Sequence, residues 1–152
     1  ILPINRQHYV KAHKAAAGQK KALIAIGVSR GGKTSKIHTA VDEKGRPRKI
    51  ILTTSNVNDW DVALNYCFNL QGKIIIADRG YSAFNIKNFI ETCGANCCIP
   101  PKSNSKILGI TRNKIKRFFG HLKEKRHIAT RFDKLASQFL SFVYLASIFY
   151  WL

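Results

Sequence analysis

The sequence predicts an α/β fold, one mixed sheet with helices packed on it. Three observations predict it. Ile37 to Val41 alternates and Lys49 to Thr53 forms a second strand, with the Gly- and Pro-containing turn DEKGRP (42–47) between them, so 36–54 reads as a β-hairpin. Ile74 to Ala77 is an apolar run of strand length that ends in Asp78, and so reads as a buried strand. Helical patterns stand on both sides of that run and again at the carboxyl end.

Taken in order, Gln7 to Val10 is a short strand, and residues 14–36, rich in Lys, Ala, Gly and Ser, read mostly as loop. Beyond the hairpin, Asn58 or Asp59 caps a helix over 60–70. Residues 73–78 are the central strand. Ser82 caps a second helix, 83–93, which Gly94 closes. Cys97 to Ile99 is a short strand stopped by Pro100-Pro101. Residues 102–111 read as a polar basic loop, followed by helices at 112–125 and 134–150. No repeat or second domain is evident, so 1–152 reads as a single domain. It starts ILPINRQHYV without Met and is expected to be N-terminally truncated.

The apolar fraction, 45%, is ordinary for a folded protein and excludes a disordered chain. The charge is not ordinary: 26 Lys and Arg against 8 Asp and Glu give +18. Such an excess suits a polyanionic partner, DNA, RNA or an anionic membrane. Cys67, Cys93, Cys97 and Cys98 form no CxxC pair, and the histidines lack zinc-finger spacing. Reduced thiols in a cytoplasm are the expectation. LASQFLSFVYLASIFYWL (135–152) only reaches the lower limit for a membrane span and carries Ser137, Gln138, Ser141 and Ser147. It reads as a helix packed on the sheet.

GVSRGGKT (27–34) fits the phosphate-loop pattern GxxxxGK[ST], with Lys33 as its cation. A phosphate loop must open a helix whose N–H groups cradle the anion. SKIHTAV follows instead, and it alternates like a strand. A nucleotide-binding protein is therefore the weaker alternative.

The separated blocks SRGGKTSKIHTAVDEKGRPRKIILT, NDW, IIIADRGY, IPP and ATRFDK, in that order, resemble the DDE-type transposases of bacterial insertion sequences. The likeness is closest to the group of short elements with an SRGG-x-T-x-KIH stretch, and runs from Val10 to Leu152. It implies a ribonuclease-H-like mixed sheet with flanking helices, and metal-dependent cutting and joining of DNA. In such enzymes Asp, Asp and Glu hold two Mg²⁺ or Mn²⁺ ions. DNA is the implied partner, with self-association or association with relatives of the same family.

By that resemblance, Asp78 with Gly80 and Tyr81 matches the second Asp motif. Arg112 and Lys123 match the Arg and Lys of the family's third motif, whose Glu then falls at Lys116 and whose Tyr falls at Gly109. The first Asp, placed by its distance from His13, falls at Arg6, after Asn5. Asp78 is left as the remaining carboxylate, a weak metal ligand or none. At about 4 Å and an effective dielectric near 20, one unit pair is worth roughly 4 kcal/mol. Reversing a charge beside a dication is then a swing of about 16 kcal/mol before screening. A catalytically dead copy that binds no metal stably is the expectation, with a non-catalytic DNA-binding remnant as the alternative function. Asp78 would then pair with Arg6 or Lys116. Glu124 lies about 12 Å along the helix from Lys116, too far to substitute. Asp42, Glu43 and Asp133 fall in turns, and Asp59 and Asp61 at a helix start.

Lys114, Lys116, Arg117, Lys123, Lys125 and Arg126 crowd one helix, with Arg131 after it. Together with Arg112 they are the candidate phosphate contacts. Ile115, Phe118, Phe119 and Leu122 have the spacing of a core face. His38 reads as structural, and Trp60 and Trp151 as packing residues.

Overall fold

A computed structural model of the chain describes residues 2–16, 25–63, 65, 71–72, 74–76, 84–98 and 106–151. Its strands are β1 (Leu2–Ala12), β2 (Gly27–Ser29), β3 (Gly32–Val41), β4 (Pro47–Thr54), β5 (Ile74–Ile76), β6 (Asn96–Cys98) and β7 (Thr130–Arg131). The helices are α1 (Asp59–Ala63), α2 (Phe84–Thr92), α3 (Lys106–Glu124), α4 (Arg126–Ala129) and α5 (Ala136–Phe149), with a 3-10 turn at Lys14–Ala16.

All seven strands join one sheet, in the order β4-β3-β1-β5-β6, with β2 also paired to β3 and β7 also paired to β1. The strands β1, β3 and β4 are antiparallel, with His8 opposite Ile37 and Ile37 opposite Leu52. The other half is parallel: Leu2 and Pro3 pair with Ile75 and Ile76, and Ile75 with Cys97. This mixed sheet with flanking helices is the ribonuclease-H-like fold, as expected from the sequence.

Chemistry dictates which faces meet. Val10, Ile37, Val41 and Ile50 of the sheet pack against Ile115, Phe118, Phe119 and Leu122 of α3, Ile128 of α4, and Phe139 and Val143 of α5. The α3 spacing is that of one helical face, and each fully buried aromatic or aliphatic side chain contributes about 1.5–3 kcal/mol. Trp151, expected in packing, is instead 43% exposed: its indole N–H donates to the Pro47 carbonyl (3.3 Å), and the Arg46 and Arg48 guanidinium groups lie over its ring. Among the described residues no helix is long and apolar enough to cross a membrane.

The β3–β4 hairpin, the Gly94 closure (φ +74) and the terminal helix match the sequence reading. Several boundaries differ. The first strand is eleven residues long, not four. A bulge between Ile4 and Arg6 shifts the register, so no single alternation runs the length of the strand. The basic loop expected over 102–111 is helix from Lys106 onward. The short pair α4 and β7 was not expected; a four-residue helix and a two-residue strand leave no period to read. Ser82, Ile99, Pro100, Pro101, Lys102 and most of the helix expected over 60–70 lie outside the described residues.

Residues 27–34 are a hairpin, not a loop: Gly27 pairs with Thr34, Val28 with Lys33 and Ser29 with Gly32. The strand that follows runs unbroken to Val41, so no helix opens behind Thr34 and the anion cradle of a phosphate loop is absent. The nucleotide-binding alternative fails on that ground. At the base of this hairpin, a Cβ on Gly27 would stand 2.5 Å from Ser55 Oγ and 2.9 Å from its backbone nitrogen. Gly27→Ala is expected to destabilise the chain by roughly 1–3 kcal/mol, read as a lower urea midpoint; an unchanged midpoint would show that the contact relaxes freely.

Candidate functional site

Two of the three positions that the family resemblance assigns to carboxylates, Arg6 and Lys116, fall on described elements. Arg6 stands on β1, opposite Thr39 of β3, just past the bulge. The parallel partner of β1 is β5, whose Ile76 pairs with Pro3. Asp78, Gly80 and Tyr81 come shortly after Ile76 in sequence and lie outside the described residues. The third position is on α3, which packs across β1: the His8 ring is 5.5 Å from that of Phe119. Lys116 follows the buried Ile115 on α3 and is exposed to solvent, and Gly109 and Arg112 are earlier residues of the same helix. Burial beneath α3, helped by the charge of Lys123, lowers the His8 pKa to about 4.

Asp42, Glu124 and Asp133 are committed elsewhere. Asp42 accepts hydrogen bonds from the backbone N–H groups of Lys44 and Arg46 and from the Arg46 side chain, and pairs with Arg48. Burial alone would push its carboxyl up; the Arg46 hydrogen bonds and charge, with the Lys44 N–H, outweigh this and hold it below the usual range. Glu124 lies 3.6 Å from His121, and Asp133 2.9 Å from His127. Among the described residues no three His, Cys, Asp or Glu side chains come together as a metal site.

The basic residues sort into two kinds. Lys116, Arg117, Lys123, Lys125 and Arg126 are exposed, and none has an ion-pair partner among the described residues. They form a cationic surface along the outer side of α3 and onto α4. Lys114 differs: it is half-buried and donates to the Glu43 carbonyl. Arg131 differs most and corrects its grouping with the phosphate contacts. It is fully buried, and its guanidinium donates to Ser35 Oγ (2.7 Å), the Asp133 carbonyl (3.0 Å) and the Lys134 carbonyl (3.2 Å), above the Phe139 ring. No phosphate can reach it.

A buried polar cluster went unread in the sequence. Lys36 is 4% exposed, and its ammonium donates to the Val57 carbonyl (2.9 Å) and to Asp59 Oδ1 (3.1 Å). Two residues along the same strand, His38 Nε2 is 2.8 Å from Thr53 Oγ1, while Nδ1 stands 4.0 Å from Asp59 Oδ1. Burial, offset in part by Asp59 and reinforced by Lys36, lowers the His38 pKa to about 4. Asp59 is the first residue of α1, but its carboxylate tethers that helix to β3 as well as marking its start. The available signal was a Lys and a His at period two in the buried strand Lys36-Ile37-His38.

With this geometry in place, comparison with known proteins assigns the family. Residues 8–145 match the model of the transposase DDE domain. The chain is 33% identical over 128 residues to a protein of Brucella ovis named as a transposase for insertion sequence element IS6501, an alignment covering 78% of this chain and 98% of that protein. An α3 packed across the central β1 and a match that spans nearly all of the sheet and its helices leave one assignment: this chain belongs to the DDE transposases of insertion sequences.

Proposed function

We propose that this chain binds DNA through its cationic helix surface and does not cut it. The carrying observation is the charge at the family's carboxylate positions: Arg6 on β1 and Lys116 on α3. In this family divalent metal ions activate the attacking oxygen and stabilise the leaving one. Hard cations need anionic oxygens. A donor set with two cations in three positions does not fit a metal pair.

DNA binding does not depend on those carboxylates. Arg117, Lys123, Lys125 and Arg126 are exposed and have no acidic partners among the described residues, with Arg112 on the same helix, so they suit phosphate oxygens. Binding of this type is electrostatic and indifferent to sequence. Such a protein would compete with active relatives for DNA or join their assemblies.

The test pairs a gel shift with a nicking assay. Incubated with labelled duplex carrying its element ends and Mg²⁺ or Mn²⁺, the purified chain is expected to give a retarded band and uncut DNA. Cleavage lost on Asp78→Asn would overturn the proposal; failure to retard DNA at low salt would overturn the binding half.

A further inference from the structure

Residues 135–152 carry no Asp, Glu, Lys, Arg or His, in a chain whose net charge is +18. One side of α5 belongs to the core, through Phe139 and Val143. The other side is apolar as well. Tyr144, Leu145, Ile148 and Trp151 are about half exposed, and Phe149 is 66% exposed. At roughly 200 Å² per side chain, these five leave about 500 Å² of apolar surface in water. A dimer interface of standard size covers about 800 Å² on each copy, and about 65% of it is apolar, or roughly 520 Å². The face therefore supplies the apolar area that a stable dimer needs.

Its shape points to a second copy of this chain. A mostly apolar groove of about 380 Å³ lies beside the face, lined by Ile50 of β4 and by Tyr144, Ile148 and Trp151. Phe149, the next residue after Ile148, does not line the groove and stands out from it. A patch with both a projecting ring and a groove fits itself about a two-fold axis. Charge favours the same partner. Cations opposed across an interface repel, and a copy of this chain brings many. Its α5 brings none, and Arg46 and Arg48, which lie over Trp151, are paired with Asp42. The patch also stands away from the family's catalytic positions on the sheet. The Tyr144 O–H donates to the Ile50 carbonyl (3.1 Å), which fixes α5 over β4, and β3 separates β4 from β1 and its Arg6.

We infer that the outer face of α5, with the groove beside β4, is a homodimer interface in which the Phe149 ring of each copy fills the groove of the other. The inference goes beyond the DNA-binding reading and does not depend on it. Apolar surface removed from water drives the contact, and the uncharged helix lets two strongly basic copies approach.

The experiment is sedimentation equilibrium of the full chain in about 0.3 M salt, which screens the remaining cations. The mass should rise with concentration from one chain to two and no further. Phe149→Ser removes a ring from both halves of the contact, so the dissociation constant should rise by roughly 100-fold. Leu145→Ser, on the same exposed face, should weaken the dimer in the same direction. Thermal melting of the dilute monomer should not change in either variant, because both side chains are exposed. A chain that stays monomeric, or one that grows past two, would overturn the two-fold contact. A dimer of unaltered affinity in both variants would overturn the assignment to α5. A monomer that floats with neutral phosphatidylcholine vesicles would give the face to a lipid surface and overturn it too.

Discussion

Replacing Arg131 by Met lowers the unfolding free energy by about 3–5 kcal/mol, the range for removing one member of a buried charged network. Three acceptors point at this guanidinium: Ser35 Oγ, and the carbonyls of Asp133 and Lys134. Each left buried without a donor costs about 1–3 kcal/mol, less where water can enter. Met fills much of the volume and keeps contact with Phe139, so the loss measures the hydrogen bonds more than a cavity. Arg131→Lys should recover only part of it, because a single ammonium on a flexible stem cannot serve three acceptors spread around a planar fork. Urea unfolding of the three proteins provides the comparison. A loss below about 1 kcal/mol for the Met variant would mean that the buried guanidinium contributes little beyond packing.

Acid is expected to loosen the fold well above the pH at which carboxylates protonate. His38 titrates near 4 in the folded chain because burial disfavours its charged form, against 6.5 unperturbed. The sign follows directly. The folded pKa is depressed, so the unfolded chain takes up the proton first. The contribution of neutral His38 is complete above pH 6.5, falls as the pH drops from 6.5 to about 4, and is constant below that. A shift of this size corresponds to roughly 3 kcal/mol. His8 acts over the same window in the same direction, for burial and the nearby Lys123. Asp42, whose carboxyl is held low, adds a further loss below its unperturbed value of 3.8. Stability measured in urea should therefore fall between pH 7 and 4.5, and His38→Gln should flatten that fall while starting from a lower value. A profile with no slope above pH 5 would contradict the buried neutral imidazole.

Much of the molecule was legible because its signals are local. The turn DEKGRP between two strand-like runs specified the β3–β4 hairpin. Ile115, Phe118, Phe119 and Leu122 specified the buried face of α3 and therefore left Lys116, Arg117 and Lys123 to the solvent. The order of the blocks from SRGG to ATRFDK pointed to the transposase family, and with it to Asp78, Arg6 and Lys116. The reach of β1 was less legible, since a bulge at Ile4–Arg6 breaks the alternation on which strand reading depends. The start of α3 at Lys106 was hidden because the polar run KSNSK (102–106) and Gly109 suggest a loop, although Ile107, Leu108 and Ile110 already belong to the helix.

The sequence alone determined the charge of the chain, the alternation and periods of its main elements, and the cations Arg6 and Lys116 at two positions where the family resemblance expects carboxylates. Those are properties of composition and of neighbours along the chain. Only the tertiary structure decided which cations face water. Arg131 looks like one more basic residue after a basic helix, but Ser35, which takes its hydrogen bond, is 96 positions away. Lys36 finds Asp59 across 23 positions in the same way. A buried charge is tolerated only where folding delivers its partners, and no local pattern records a partner that far along the chain.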